Sequence, residues 1–223
     1  MTEDLAGAGI SEGPSFARAE LAKLGTALTK LSDDPYPGLL TRVAECVVGS
    51  LRAGGRVLLC GNGGSAADAQ HLAAELVGRQ NYDRPPTAGL ALTVDTSALT
   101  ALANDYGFES VFARQVDALG RPGDVLIGIS TSGRSANVVA ALAAATAGGL
   151  RTVAFTGAAP RDMAGAEVVL AVPATETSKI QELHITCGHI VFALVERSLH
   201  PPGMAGQRGP GPATDRSDHG HFR

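Results

Sequence analysis

Two histidines, a glutamate and a glutamine stand at spacings that could converge on one metal ion or one proton-transfer site. His71 and Glu75 are four residues apart in a helix-favouring run, and would project from one helical face. Gln181 and His189 are eight apart in another such run, about two turns, and fall on a similar side of it. Two imidazoles and a carboxylate suit Zn2+ or a similar divalent ion, with a Gln oxygen as a less usual fourth ligand. The same spacing also describes an ordinary surface His/Glu pair, and His189, beside Ile190-Val191-Phe192, also reads as a hydrogen-bonded core residue.

Two loops near these groups have the composition of anion sites. Cys60-Gly61-Asn62-Gly63-Gly64-Ser65-Ala66 joins an apolar run, Val57-Leu58-Leu59-Cys60, to an alanine-rich one, so it should sit at the C-terminal edge of a buried parallel strand. Open α/β sheets bind ligands there. The loop loosely fits G-x-G-x-x-A, the pattern of a dinucleotide site, which calls for an acid about 20 residues further on at a strand end. Asp83 is in range but lies in Asn81-Tyr82-Asp83-Arg84-Pro85-Pro86, a loop composition. No Lys-Ser or Lys-Thr follows the glycines, which excludes a Walker-type loop. The second loop, Ser130-Thr131-Ser132-Gly133-Arg134-Ser135-Ala136-Asn137, follows the apolar run Val125-Leu126-Ile127-Gly128-Ile129. Its hydroxyls and backbone N–H groups at a helix start make a neutral cradle for a phosphate dianion. An N-cap with extra hydroxyls is the plainer reading of that loop alone.

The elements that must position these residues alternate. Strands are expected near Val57–Cys60, Gly89–Val94, Val125–Ile129, Thr152–Thr156 and Val168–Val172. Helices are expected between them near 66–78, 96–103, 111–119, 136–147 and 162–164, with a long last helix from about Ser178 to Leu199. That alternation predicts an α/β three-layer sandwich with a central five-stranded parallel sheet flanked by helices. Ahead of it, Phe16, Leu21, Leu24, Leu28 and Leu31 could share one face of a helix. A second amphipathic helix follows from about Leu39 to Ala53, so a helical pair precedes the sheet. Residues 1–14 read as a flexible start, 15–199 as one domain, and 200–223, rich in Pro, Gly and Asp, as a disordered tail whose His219 and His221 are solvated.

Composition narrows the partners. A hydrophobic share of 44% with 18% charged residues suits a globular chain, and 4% aromatics with no Trp implies close packing through Ala and Gly. A net charge of −4 without a dense Lys/Arg stripe argues against nucleic acid and for a small ligand. Cys46, Cys60 and Cys187, odd in number and in apolar surroundings, read as reduced core thiols. No signal peptide and no membrane-length apolar run is visible, so a cytoplasmic protein without a membrane partner is expected.

Four motifs in order resemble one family. Cys60 to Arg79 is similar to phosphoheptose isomerases of the sugar isomerase (SIS) domain superfamily, as are Ala103-Asn104-Asp105-Tyr106-Gly107-Phe108-Glu109, Ser130 to Val138, and Ile180-Gln181-Glu182-Leu183-His184-Ile185-Thr186-Cys187-Gly188-His189. The likeness covers roughly residues 15 to 199. It implies conversion of sedoheptulose 7-phosphate to glycero-manno-heptose 7-phosphate through an enediol, with Glu75 and His189 catalytic. It implies one Zn2+ per subunit on His71, Glu75, Gln181 and His189, and a substrate pocket of Asn62, Gly63, Gly64, Ser65, Arg79, Asn104, Asp105, Ser130, Thr131, Ser132, Ser135 and Gln181. It also implies a homotetramer with active sites at subunit contacts, which would cover the N-terminal helical stripe. Lys179 stands where that family usually has Arg, and Arg134 where Asn is common. Relatives in the same superfamily act as non-catalytic adaptors that bind a replication initiator protein, and a phosphosugar sensor is a further alternative.

Overall fold

The computed structural model describes residues 13–202. Most of the start and tail singled out above therefore lies outside the described residues, although Gly13 and Pro14 already belong to the first helix. Helices α1 (Gly13–Leu31) and α2 (Tyr36–Arg52) precede the alternating part. That part runs β1 (Val57–Gly61), α3 (Gly64–Val77), β2 (Gly89–Ala91), α4 (Thr96–Tyr106), α5 (Ala113–Leu119), β3 (Val125–Ser130), α6 (Ala136–Ala147), β4 (Arg151–Thr156), β5 (Val168–Ala171) and α7 (Thr177–Leu199). The short stretch expected near 162–164 is a single 3-10 turn, Arg161–Met163.

The five strands form one parallel sheet in the order β2-β1-β3-β4-β5. β1 and β3 are buried along their whole length, so both faces of the sheet are covered and the strands read as unbroken apolar runs. Alternation along each strand divides the core in two. Val57, Leu59, Ile127 and Phe155 pack with α2, α3 and α7, while Leu58, Cys60, Leu126 and Ala154 pack on the other side with α6 and residues 111–116. Helix α3, leaving β1, therefore lies on one face, and α6, leaving β3, on the other. The gap between the C-terminal ends of β1 and β3 is thus the point where strand order reverses, a natural ligand crevice.

Three boundaries differ from expectation for local reasons. α2 starts at Tyr36 rather than near Leu39, because Pro37 is tolerated in the first turn of a helix. β2 ends at Ala91 rather than near Val94, because the chain turns at once toward Asp95, whose carboxylate accepts the Ala98 N–H at 2.9 Å and caps α4. α4 then runs three residues past Ala103, until Gly107 takes φ +86°. On α1, Leu24 packs against the core and Leu31 is buried, but Phe16, Leu21 and Leu28 are 67%, 68% and 38% exposed, so the anticipated stripe is covered only in part by this chain. All three cysteines are free and buried. Burial pushes the thiols up, Cys46 to about 11 and Cys60 and Cys187 to about 12. His184 on α7 is also fully buried, its ring centroid 5.8 Å from that of Phe155, and neither nitrogen meets a hydrogen-bond partner at normal geometry. Burial pulls its pKa down to about 4, and the Thr156 backbone offsets only part of that.

Candidate active site

α3 starts from the first glycine loop at the crevice, with Gly63 turning the chain at φ +55° just ahead of it. Two turns in, α3 carries His71, and one turn further Glu75. α7 crosses close to it, and Gly188 allows the approach, since a Cβ there would lie 2.6 Å from Leu72 Cδ2. The crossing sets His71 Nε2 2.8 Å from His189 Nε2, with the rings nearly perpendicular at 80°. His71 Nε2 is 3.5 Å from Glu75 Oε1. A ligand atom from each of His71, Glu75 and His189 lies within 4.8 Å of the other two. The other carboxylate oxygen, Glu75 Oε2, is buried without a hydrogen-bond partner. A buried carboxylate oxygen left unpaired is costly, and marks a place where a cation or a substrate proton completes the structure. Gln181 enters from the second turn of α7 and rests on the loop: a Cβ at Gly64 would meet its amide at 2.6 Å.

The second loop is built to leave donors free. Ser135 occupies the N-cap of α6 but makes no side-chain cap. Its Oγ instead meets Ser130 Oγ at 2.8 Å, with Ser132 Oγ 3.4 Å from Ser130. The start of α6 and a cluster of hydroxyls, with Thr131 beside them and the exposed Arg134 lining the same cavity as Thr131 and Ser132, therefore form a donor set that suits a phosphate dianion. The two loops are tied together by a reciprocal amide pair, Asn62 Nδ2 to Asn137 Oδ1 at 2.8 Å and Asn137 Nδ2 to Asn62 Oδ1 at 2.9 Å. Ser65, in the first turn of α3, is buried and its N–H returns to Asn62 O at 3.0 Å.

The comparisons with known proteins agree with this geometry. The SIS domain family matches residues 26–157. Over 162 residues the chain is 57% identical to a phosphoheptose isomerase of Roseiflexus sp. (strain RS-1), covering 72% of this chain and 82% of that one. A phosphoheptose isomerase of Akkermansia muciniphila is 54% identical over 73% of this chain and 87% of its own. The chain belongs to the SIS-domain family and, within it, to the phosphoheptose isomerase family. The solved phosphoheptose isomerase GmhA from Neisseria gonorrhoeae superposes with a TM-score of 0.76 at 43% identity, covering 82% of this chain and 98% of that one. One from Francisella tularensis gives 0.78 at 32% identity, covering 83% and 98%.

Not every expected pocket residue of this SIS domain meets the crevice within one chain. Asn104 and Asp105 stand exposed at the C-terminal end of α4, hydrogen-bonded to one another at 2.8 Å. Arg79 is exposed just beyond α3. Conversely, the structure adds residues that spacing did not single out. Asp68, one turn before His71, has Oδ2 buried without a partner; burial raises its pKa while the imidazoles of His71 and His189 pull the other way. Its i, i+3 relation to His71 was the available signal. The buried Glu196 and Arg84 side chains and the half-buried Gln80 form a polar knot that reaches the backbone of His189. The signal for it was an acid at the i+4 position from Phe192, on the apolar stripe of α7.

Proposed function

We propose that this chain interconverts sedoheptulose 7-phosphate and glycero-manno-heptose 7-phosphate as an aldose–ketose isomerase. The observation that carries the reading is the unpartnered, buried Glu75 Oε2 beside the His71/His189 pair, at a crevice that also holds a hydroxyl-rich loop at a helix start. Such an isomerisation moves a proton between C1 and C2 and another between their oxygens. Glu75 takes the carbon-bound proton on its free oxygen and returns it to the neighbouring carbon. His189 serves the two oxygens, passing a proton from one to the other. Ser65, Ser130, Thr131, Ser132 and Ser135 hold the phosphate, with Gly63 and Gly64 letting it approach the start of α3. Asn62 is held in place by Asn137 and presents the loop to the sugar.

The residues present fit a zinc ion: two facing imidazole nitrogens, a carboxylate with an orphan oxygen, and Gln181 nearby on the loop, a nitrogen and oxygen set that zinc favours. His71, Glu75, Gln181 and His189 would hold one Zn2+ per subunit, which when bound supplies Lewis-acid polarisation of a carbonyl. The active form is a homotetramer. Exposed Phe16 and Leu21 on α1, and Ile190 and Leu194 on α7, support it, and a neighbouring subunit would bring closure around Arg79, Asn104 and Asp105. Among the described residues no helix is long and apolar enough to cross a membrane. The three buried, unpaired thiols support a reducing, cytoplasmic setting. No observation favours the adaptor or sensor alternatives.

The deciding experiment follows aldose formation from sedoheptulose 7-phosphate by the purified chain with added Zn2+, after chelation, and after Zn2+ is restored. Product that disappears on chelation and returns with the ion is expected. Phosphosugar binding without product under every metal condition would refute the isomerase reading.

A further inference from the structure

The helices that carry the reacting groups are joined by a strap, residues 78–88, that runs from the end of α3 along α7 and back to β2. At its centre is a buried ion pair: Arg84 Nε meets Glu196 Oε1 at 3.1 Å, with the two side chains 3% and 1% exposed. Both carboxylate oxygens are fully used. Oε1 also accepts the Gln80 N–H at 3.0 Å, and Oε2 accepts the Asn81 N–H at 2.9 Å and Asn81 Nδ2 at 3.0 Å. Burial would raise this carboxyl, but the hydrogen bonds from Gln80, Asn81 and Arg84 outweigh it and hold it below its ordinary value.

The other end of Arg84 reaches the helix that holds Glu75. Nη2 donates to the Glu75 carbonyl at 2.6 Å and Nη1 to the Leu76 carbonyl at 2.9 Å. These are C-terminal carbonyls of α3 with no partner inside the helix, where a cation is also favoured by the helix dipole. On the other side, Gln80 Nε2 donates to the carbonyl of His189 at 2.9 Å, and Tyr82 Oη to that of His200 at 2.7 Å. Glu196 lies two turns after His189, so the strap is pinned to α7 at two levels and again at His200, just past the helix end. One network therefore grips the backbone of Glu75 and the backbone of His189. It does so away from the phosphate loops, which sit at the opposite end of α3 and on α6.

We infer that Arg84, Glu196 and Gln80 are positioning residues that fix the separation of Glu75 and His189, and with it the affinity of the site for zinc and the rate of proton transfer. The inference rests on the isomerase reading for its kinetic half only. Groups held behind metal ligands typically change metal affinity or activity by roughly 10–100-fold when altered, and the uniform binding of the phosphate should be spared.

The test uses the full chain and the variants Glu196→Gln, Arg84→Lys and Gln80→Ala, titrated with Zn2+ alone against a competing chelator and then assayed for kcat and KM. As control, Asp124→Asn disturbs another buried acid, which accepts the Arg56 and Arg121 N–H groups at the far end of the sheet. Weaker Zn2+ binding by tenfold or more in Glu196→Gln and Arg84→Lys is expected, with a smaller loss in Gln80→Ala and none in Asp124→Asn. In turnover, kcat should fall by a similar factor with KM within about twofold. Should the ion-pair variants fail to fold, Gln80→Ala decides, because its side chain is half-buried and outside the ion pair. Unchanged Zn2+ affinity in the folded variants, or an equal loss in Asp124→Asn, would overturn the inference. Absence of turnover in the parent chain would instead count against the isomerase reading, and the Zn2+ titration would still judge the strap.

Discussion

Replacing Glu75 by Gln separates chemistry from stability more cleanly than any other change in this molecule. Glu75 Oε1 has one ionic neighbour, His71, at 3.5 Å, and the His71 side chain is 49% exposed, so that pair contributes at most a few tenths of a kcal/mol. Oε2 has no partner to lose. Neutralising the group therefore costs less than about 1 kcal/mol of folding free energy, a fall in Tm of no more than about 2–4 °C for a domain of this size, and relief of the buried charge acts in the stabilising direction. Loss of a positioned general base should lower kcat by about 10²–10⁴, some 3–5 kcal/mol in the barrier. Calorimetry of the two proteins, and aldose formation at saturating sedoheptulose 7-phosphate, read the two quantities separately. A kcat within tenfold of the parent would remove Glu75 from the role of base. A Tm drop well beyond that range would refute the claim that the buried oxygen is unsupported within the chain.

Further outcomes follow from other residues. His184 is neutral in the fold, with a pKa of about 4 against about 6.5 when unfolded, so its contribution is complete above pH 6.5 and is lost as pH falls toward 4, on the order of 3 kcal/mol in all. Urea unfolding of the parent and of His184→Leu at pH 7 and pH 4.5 should show that the variant lacks this slope, and an identical slope would reject the assignment. Asn62→Ala strands the buried amide of Asn137 and should cost about 1–3 kcal/mol, with the double Asn62→Ala/Asn137→Ala variant costing less than the sum. Additive losses in equilibrium unfolding would mean the two amides act independently. Ser135→Ala removes a hydroxyl from the proposed phosphate cradle. A hydrogen bond to a charged group is worth about 1.5–3 kcal/mol, so KM should rise at least about tenfold at nearly constant kcat, and an unchanged KM would place the phosphate elsewhere.

The parts of this fold that follow from local chemistry were readable along the chain. Val57–Cys60 and Val125–Ile129 are unbroken apolar runs before glycine- or hydroxyl-rich turns, and both became central parallel strands. His71 and Glu75 share a helical face by spacing alone. What spacing could not supply was the crossing of α3 and α7, which depends on a glycine, Gly188, facing Leu72 more than a hundred residues away. The strand order was equally hidden, since alternation of strands and helices does not say that β1 lies between β2 and β3. Arg84 and Glu196 look like ordinary charged residues until folding buries both. Thr93 and Val94 have strand propensity, yet β2 stops at Ala91 because the cap at Asp95 decides the local geometry.

The three sealed thiols give this protein built-in reporters of its own motion. Cys60 lies at the end of β1 beneath the first loop, Cys187 two residues before His189 on α7, and Cys46 in α2, and each is at most 1% exposed. A thiol that is buried and raised to about 11 or 12 reacts with an alkylating reagent only when its surroundings open. The labelling rate at each position therefore measures the free energy of opening at that position, without any introduced probe. Occupancy of the crevice should slow Cys60 and Cys187 more than Cys46, so that the chain's own cysteines map which part of the molecule a sugar phosphate holds shut.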